Sequence, residues 1–169
     1  MELWDAYDRD EKRTGGELVR GEPIPDGLYH LVCEVLVRHT DGDYLLMKRA
    51  RSKKGYPGLY EATAGGSALK GEAPIDCIKR ELREETGIAR GTFTLIVRHV
   101  FDSGHCICYD YLCTTDCDKD GIVLQDGETE GWKWLNEAEF SAFVNSDEGI
   151  GPQKERFRPY FIEKGYLRG

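Results

Sequence analysis

Apolar and polar residues alternate in several segments of the chain, which is the pattern of strands with one buried face. Leu31, Cys33, Val35 and Val37 recur at every second position, and Asp41-Gly42 after them is a typical hairpin turn. The same reasoning predicts strands over residues 29–37, 44–49, 59–64, 92–101, 105–114, 122–124 and 132–135.

A helical period appears between Pro74 and Gly87. Ile75, Ile78 and Leu82 recur at i, i+3 and i+7, which predicts a helix with one core-facing stripe. Pro74 suits the first helical turn, and Gly87 stands where a left-handed C-terminal cap is expected.

Two more helices are predicted towards the C-terminus. Asn136 and Glu139 form a capping-box pattern for a helix that ends near Val144, and residues 152–164 predict a closing helix. Strands joined partly by hairpins, with two or three helices between them, indicate an α+β fold in which helices cover both faces of a mixed sheet.

The chain is long enough for a full hydrophobic core. Its 169 residues show no repeat, so we expect one domain over 1–169, with residues 1–28 as a turn-rich extension packed on it through Trp4 and Tyr7. The net charge of −8 argues against a nucleic-acid polymer as partner. Residues 48–54 are locally basic and could compensate an anionic substrate.

Nothing in the sequence predicts a membrane span or a signal peptide, so we expect a cytoplasmic protein. The six cysteines are then expected to be reduced thiols. Cys106 and Cys108 do not have the spacing of a zinc finger or ribbon, and we expect them to share one core-facing strand face. The sequence is compatible with a homodimer.

Three carboxylates, Glu81, Glu84 and Glu85, lie at i, i+3 and i+4 on the predicted central helix. Like charges at this spacing destabilise a helix, and a hard divalent cation with oxygen ligands, Mg²⁺ or Mn²⁺, would remove the repulsion. On its own, this segment would also suit an ordinary solvated helix.

The surrounding residues distinguish these readings. Residues 66–88 match the pattern G-x5-E-x7-R-E-U-x-E-E-x-G-U, where U is a bulky apolar residue, at Gly66, Glu72, Arg80, Glu81, Leu82, Glu84, Glu85, Gly87 and Ile88. This stretch resembles the signature of the Nudix hydrolases. The resemblance implies an αβα sandwich and the divalent-metal-dependent hydrolysis of a diphosphate bond in a small-molecule nucleoside diphosphate derivative, such as a nucleotide or a nucleotide sugar.

The resemblance also implies residue roles. Glu81, Glu84 and Glu85 would be the metal ligands, with the backbone carbonyl of Gly65 as a further one, and Arg80 would orient the acidic cluster.

Residues outside the motif take their expected roles from the same resemblance. Glu128 precedes a late strand and could add a metal-binding or catalytic acid, with Glu130 as its substitute, although a solvated acidic loop is the alternative. Lys48 and Arg49 would contact phosphate, or else be solvated charges at a strand end.

Residues 3–8, 29–31 and 48–60 also resemble isopentenyl-diphosphate isomerases and their hydrolase relatives, which makes isomerisation an alternative function. A catalytically silent nucleotide-binding domain is another.

Most of the catalytic and metal-binding residues that the isomerases use are not present in this sequence. The isomerase cysteine falls at Gly65, its neighbouring histidine at Ser67, and its strand glutamates at Tyr109 and Tyr111. Only His30 of that metal centre is kept, and a histidine on an apolar strand is more often a core residue than a ligand.

Overall fold

The computed structural model describes residues 1–168, apart from the Thr63 side chain, and they form nine strands and four helices. The strands are β1 (Leu3–Tyr7), β2 (Arg13–Val19), β3 (His30–His39), β4 (Tyr44–Arg49), β5 (Tyr60–Glu61), β6 (Thr63–Ser67), β7 (Thr92–Phe101), β8 (Cys106–Thr115) and β9 (Thr129–Leu135). The helices are α1 (Pro74–Thr86), α2 (Glu137–Val144), α3 (Gly151–Arg156) and α4 (Arg158–Glu163).

Seven of the strands form one mixed sheet. Its main order is β5-β4-β3-β8-β7, while β6 also pairs with β3 and β9 with β4. The central pair β3–β8 is parallel over the whole of β3, from His30 opposite Cys106 to His39 opposite Thr115. The β7–β8 pair is antiparallel, so the sheet is mixed, as predicted.

Helices cover both faces of this sheet. On one face, α1 packs Cys77, Ile78 and Leu82 against alternate residues of β3 such as Cys33 and Val35. On the other face, the residues packed together come from β3, β4 and the C-terminal helices, among them Leu36, Leu46, Phe140, Phe157 and Phe161. The predicted αβα arrangement is therefore confirmed.

The ends of two helices agree with the local sequence signals that predicted them. Helix α1 begins at Pro74 and ends before Gly87, which has φ 77° and donates its N–H to the Arg83 carbonyl. Helix α2 begins after Asn136, whose side chain accepts from the N–H of Glu139 in a complete capping box.

Three predictions were wrong. The strand predicted over residues 59–64 is two strands, β5 and β6, which separate at residue 62 and pair with different neighbours. Residues 152–164 form α3 and α4 rather than one helix, because Pro159 has no N–H to continue the hydrogen-bond ladder across Phe157. Residues 122–124 form no strand; Ile122 is buried in the core, and the N–H of Val123 caps α1 by bonding the Thr86 carbonyl at 2.9 Å.

The N-terminal extension contains structure that the sequence pattern did not indicate. Strands β1 and β2 form a separate antiparallel hairpin, in which Trp4 faces Leu18 across the pair. Trp4 and Tyr7 are both buried, as their size and polarity led us to expect. The hairpin is docked on the main sheet by paired backbone bonds between Tyr7 and Tyr29.

Within the described part of the chain, none of the helices has the length and apolar character needed to cross a lipid bilayer.

Candidate active site

A polar cleft of about 400 Å³ lies between β6 and α1. Seven carboxylate side chains line it: Glu2, Glu34, Glu61, Glu81, Glu84, Glu85 and Glu128. Four cationic side chains line it as well: Arg20, Arg49, Lys53 and Arg80. Carboxylates outnumber cations, and the cleft is therefore suited to a hard divalent cation.

Two glycines bring the backbone of β6 close to its neighbours. The pairing of β6 with β3 places Gly65 opposite Glu34 and Gly66 opposite Cys33. A Cβ atom on Gly65 would lie 2.2 Å from the Cys33 carbonyl oxygen, and one on Gly66 would lie 2.5 Å from Oε1 of Glu81. Only glycine allows β6 to keep this approach to β3 and to the Glu81 carboxylate.

The three acidic residues of α1 have different surroundings. Glu85 is partly buried, and its Oε1 lies 3.4 Å from the Gly65 backbone N–H. The Glu81 side chain is 15 % exposed and bonds Arg80, whereas Glu84 is 45 % exposed at the cleft rim. The helix therefore presents three different carboxylates to the same cleft: Glu85 is enclosed, Glu81 is bonded to Arg80, and Glu84 is largely solvated.

Arg80 connects the acidic residues to one another. Its Nε and Nη2 each donate to Glu72 at 2.9 Å, and its Nη1 donates to Glu81 at 2.7 Å and to Glu84 at 3.3 Å. Nη2 also donates to the Ser67 carbonyl at 3.2 Å. The bonds to Glu72 and Glu81 raise the pKa of Arg80 above its ordinary value. Arg80 thus orients Glu81 rather than facing open solvent.

Glu61 is a cleft residue that the sequence reading missed. It accepts two bonds from Arg49 Nη1, at 3.1 and 2.9 Å, and one from Gln153 Nε2 at 3.2 Å. Burial raises the pKa of Glu61, and the Arg49 charge opposes this shift. The sequence did show that Glu61 is an acidic residue in a short strand just before the glycine pair, and this could have marked it as a candidate. No local pattern indicated that α3 would bring Gln153 to it.

Burial and the neighbouring carboxylates together raise the pKa of Glu85. Burial raises it from 4.5 to about 8, and the charges of Glu61 and Glu81 add to the shift. Without a bound cation, Glu85 therefore holds a proton at neutral pH. Burial also raises the pKa of Glu81, against the effect of Arg80.

The loop before β9 brings Glu128 into the lining of the cleft. Its carboxylate forms an ion pair with Lys53, which comes from the basic segment after β4. Glu130, the substitute considered for Glu128, instead pairs with Lys48 at 2.8 Å and lies outside the cleft lining. Of the two expected phosphate-binding residues, Arg49 therefore lines the cleft and Lys48 does not.

The N-terminal hairpin completes the cleft from a direction that sequence reasoning also missed. Arg20 Nη1 lies 2.8 Å from Glu2 Oε2, and the Arg20 side chain is 68 % exposed. The hairpin is held beside α1 by two bonds, from Lys70 N–H to the Leu3 carbonyl and from Gly71 N–H to Asp5, both at 2.8 Å. Arg20 is thus less enclosed by carboxylates than the other cations of the cleft.

Other candidate ligands lie elsewhere. His30 stacks on Trp4 with 4.1 Å between ring centroids, and burial lowers its pKa to about 4. It does not line the cleft, so it is placed as a core histidine. Cys106 and Cys108 are both buried, and their Sγ atoms are 3.6 Å apart on one strand face.

The chemistry of the cleft fits a hard cation, although its side chains are not gathered around one. Among residues 1–168, no group of three acidic, histidine or cysteine side chains already converges on a point that could hold a metal ion. The raised pKa of Glu85 nevertheless indicates a buried carboxyl group that lacks compensating positive charge. The missing Cβ atoms at Gly65 and Gly66 let the backbone of β6 lie close to these carboxylates. Coordination would require these carboxylates to rotate towards a common centre.

Comparison with known proteins identifies a family. Residues 28–159 match the model of the NUDIX domain. An uncharacterized Nudix hydrolase of Listeria monocytogenes is 32 % identical over 169 residues, which cover 96 % of this chain and 91 % of that protein.

Solved structures show the same fold at lower identity. DR0079 from Deinococcus radiodurans aligns with a TM-score of 0.72 at 19 % identity, over 93 % of this chain and 98 % of that one. A MutT protein from Methanosarcina mazei aligns with a TM-score of 0.62 at 19 % identity, over 80 % of this chain and 95 % of that one. The match to the NUDIX model begins at residue 28, after the N-terminal hairpin. The cleft residues Glu2 and Arg20 therefore lie outside the matched segment.

Proposed function

The chain belongs to the Nudix hydrolase family and is a Nudix pyrophosphohydrolase, and we propose that it hydrolyses the diphosphate bond of a nucleoside diphosphate derivative. The observation that carries this proposal is the enclosed group of Glu61, Glu81 and Glu85 beside the Gly65-Gly66 backbone. Such a group is unfavourable in an empty cleft and becomes favourable when a divalent cation and an anionic substrate share it.

The acidic residues divide into ligands and supports. Glu81, Glu84, Glu85 and the Gly65 carbonyl would hold Mg²⁺ or Mn²⁺, with Glu128 as a further ligand from the loop before β9. When bound, the cation supplies neutralisation of negative charge on the phosphoryl oxygens. Arg80 keeps the Glu81 carboxylate at the cleft, because it is itself anchored by Glu72 and the Ser67 carbonyl.

The cationic residues would bind the diphosphate. Arg49, Lys53 and Arg20 all line the cleft. In the free protein, Arg49 pairs with Glu61, Lys53 with Glu128 and Arg20 with Glu2. These ion pairs hold the cationic groups in position before the substrate binds. Arg20 is the most exposed of the three and would meet the phosphate nearest to solvent.

In the proposed reaction, the oxygen of a water molecule forms a bond to one phosphorus atom and the bridging P–O bond breaks. Its electron pair leaves with the other phosphate. The proton of the attacking water passes to a carboxylate of the cleft, either one of Glu81, Glu84 and Glu85 or the loop acid Glu128.

Isomerisation of isopentenyl diphosphate has less support. Gly65 offers no side chain to protonate or deprotonate carbon, and Tyr109 bonds Glu11 instead of lining the cleft.

The experiment is product analysis by mass spectrometry, with a panel of nucleoside di- and triphosphates, nucleotide sugars and isopentenyl diphosphate in the presence of Mg²⁺ or Mn²⁺. Cleavage of a diphosphate bond supports the proposal and identifies the substrate. An allylic isomer as the product would overturn it. Ligand-linked stabilisation without any product would identify a binding domain instead.

A further inference from the structure

A second, apolar groove of about 740 Å³ is lined by residues of β7 and β8 and by residues of α3 and α4. Three of its side chains carry atoms that bind metals and that the proposed hydrolysis does not use: His99, Cys106 and Cys108. None of the three lines the acidic cleft. The groove therefore contains a set of donors that the catalytic site leaves unexplained.

The two thiols are already spaced as ligands of a single ion. Cys106 and Cys108 are two residues apart on β8, so their side chains share one face, and their Sγ atoms are 3.6 Å apart. Two sulfur atoms that each lie about 2.3 Å from one tetrahedral ion are about 3.8 Å apart. The thiols could therefore chelate such an ion with almost no change in their separation.

A disulfide fits the same pair less well. It needs Cβ atoms about 3.8 Å apart, whereas residues i and i+2 of an extended strand are separated by roughly 6.7 Å along the strand. Oxidation would therefore have to bend β8, whose pairing with β3 is continuous from Cys106 to Thr115. A bound ion leaves that pairing intact.

His99 stands beside the sulfur pair and can supply a third donor. It lies opposite Cys108 in the register of β7 and β8, and opposite residues of an antiparallel pair project from the same face with their Cβ atoms about 5 Å apart. Burial lowers the pKa of His99, so the imidazole is neutral at neutral pH and keeps a lone pair for a metal.

Asp110 is placed to hold the other nitrogen of that ring. Its side chain is fully buried, and its Oδ2 has no hydrogen-bond partner within the described part of the chain. This oxygen lies 3.6 Å from Nδ1 of His99. A histidine that binds a metal through one nitrogen usually donates its other N–H to a carboxylate. A small turn of the imidazole would satisfy Asp110 and leave Nε2 of His99 for the ion.

The charges of the groove suit a divalent ion that replaces two protons. Arg156 pairs with Glu34 at 2.5 Å and with Asp110. A divalent ion that binds two thiols displaces one proton from each, so the net charge of the groove does not change. The hydrogen bond with Cys108 lowers the pKa of Cys106, and the charge of Arg156 acts in the same direction.

We propose that Cys106, Cys108 and His99 form a binding site for a thiophilic divalent ion of the zinc class, which fastens β7 to β8. Among residues 1–168 the three donors do not yet surround one point, so His99 turns towards the sulfur pair when the ion binds. Thiolate sulfur selects soft ions and carboxylate oxygen selects hard ions. The groove and the acidic cleft therefore hold different metals.

Co²⁺ is the first probe, because it substitutes for zinc and its absorption spectrum reports its ligands. Reduced, metal-free wild-type protein is titrated with Co²⁺ in excess Mg²⁺, which occupies the carboxylates of the cleft. The visible bands of tetrahedral Co²⁺ and the near-ultraviolet band of a cobalt–thiolate bond should saturate at one ion per chain, with the release of about two protons. An octahedral spectrum without a thiolate band would overturn the proposal without the need for any variant.

Variants then identify the ligands. Cys106→Ser, Cys108→Ser and His99→Gln should each weaken Zn²⁺ binding at least about 100-fold in competition with a chromophoric chelator, since loss of a mere partner of a ligand costs about 10- to 100-fold. Circular dichroism checks that the variants are folded. The matched control is Cys117→Ser, which removes the most exposed of the six thiols and should bind Zn²⁺ like the wild type.

Three results would contradict the assignment. An equal loss in Cys117→Ser would show that any thiol of the chain binds the ion by chance. A Cys106–Cys108 disulfide, found by peptide mapping of protein purified under argon, would identify a redox pair instead. Full affinity in His99→Gln would remove His99 from the site. None of these measurements depends on turnover, so their outcome is independent of the proposed hydrolysis.

Discussion

The backbone N–H of Gly65 and the Oε1 atom of Glu85 lie 3.4 Å apart and join β6 to α1 at the centre of the acidic cleft. This contact is long for a hydrogen bond, and it lowers the pKa of the Glu85 carboxyl less than burial raises it, to about 8. The strand therefore encloses Glu85 without neutralising it.

Glu85 should make the metal-free protein less stable as the pH rises. Its pKa is 4.5 when unfolded and about 8 when folded, so between these values the folded state binds more protons than the unfolded state. The free energy of unfolding should then fall by up to about 1.4 kcal/mol per pH unit. Denaturant unfolding in EDTA from pH 5 to pH 8 measures this slope.

Glu85→Gln should flatten that slope and raise the midpoint of thermal unfolding near pH 8. Glu84→Gln is the matched control, since its side chain is 45 % exposed and removing its charge relieves little burial. A slope that is the same in Glu85→Gln and the wild type would contradict the placement of Glu85.

Arg80→Ala should reduce kcat/KM about 10- to 100-fold, because Glu81 loses the bond that orients it. Arg80→Lys should recover only part of this, since an ammonium group cannot reach Glu72, Glu81 and Glu84 at once. Steady-state kinetics at several Mn²⁺ concentrations measures the loss. The control is Arg83→Ala, exposed on the same helix, and an equal loss there would refute a specific role for Arg80.

Arg20→Ala should raise KM about two- to five-fold with little change in kcat, because an exposed cation contributes modest, salt-dependent binding. The effect should shrink as ionic strength increases. Arg13→Ala removes a comparable cation of the same hairpin, which pairs with Asp5 at 2.8 Å and does not line the cleft. If both variants change KM equally, the effect comes from overall charge and not from the cleft.

Gly65→Ala should destabilise the fold by about 1–3 kcal/mol, because the new Cβ would lie 2.2 Å from the Cys33 carbonyl oxygen. Gly55→Ala meets no atom within 4 Å and should leave stability nearly unchanged. Chemical denaturation followed by circular dichroism compares the two. Equal stability of both variants would show that β6 does not approach β3 as closely as described.

The sequence predicted what depends on local spacing. The period of Ile78 and Leu82, with Pro74 before them and Gly87 after them, correctly predicted α1, and the acidic motif placed three carboxylates on it. Alternation predicted the long strands within one or two residues. These features need only neighbouring residues, so they can be read without knowing the fold.

Features that depend on distant contacts were missed. Gln153 reaches Glu61 across 92 positions, and Arg20 reaches the cleft through a hairpin whose strands carry no clear alternation. In contrast, the break between α3 and α4 could have been read from Pro159, because a proline there removes a helical hydrogen bond.

The most direct test of the central claim is hydrolysis of the preferred nucleotide in water enriched in ¹⁸O, comparing the wild type with Glu85→Gln in Mg²⁺. Mass spectrometry should find one ¹⁸O atom in a phosphate product of the wild type, and no product from Glu85→Gln, which should keep a native circular dichroism spectrum. Wild-type turnover by Glu85→Gln, or a product that carries no ¹⁸O, would contradict water attack on a diphosphate in this cleft.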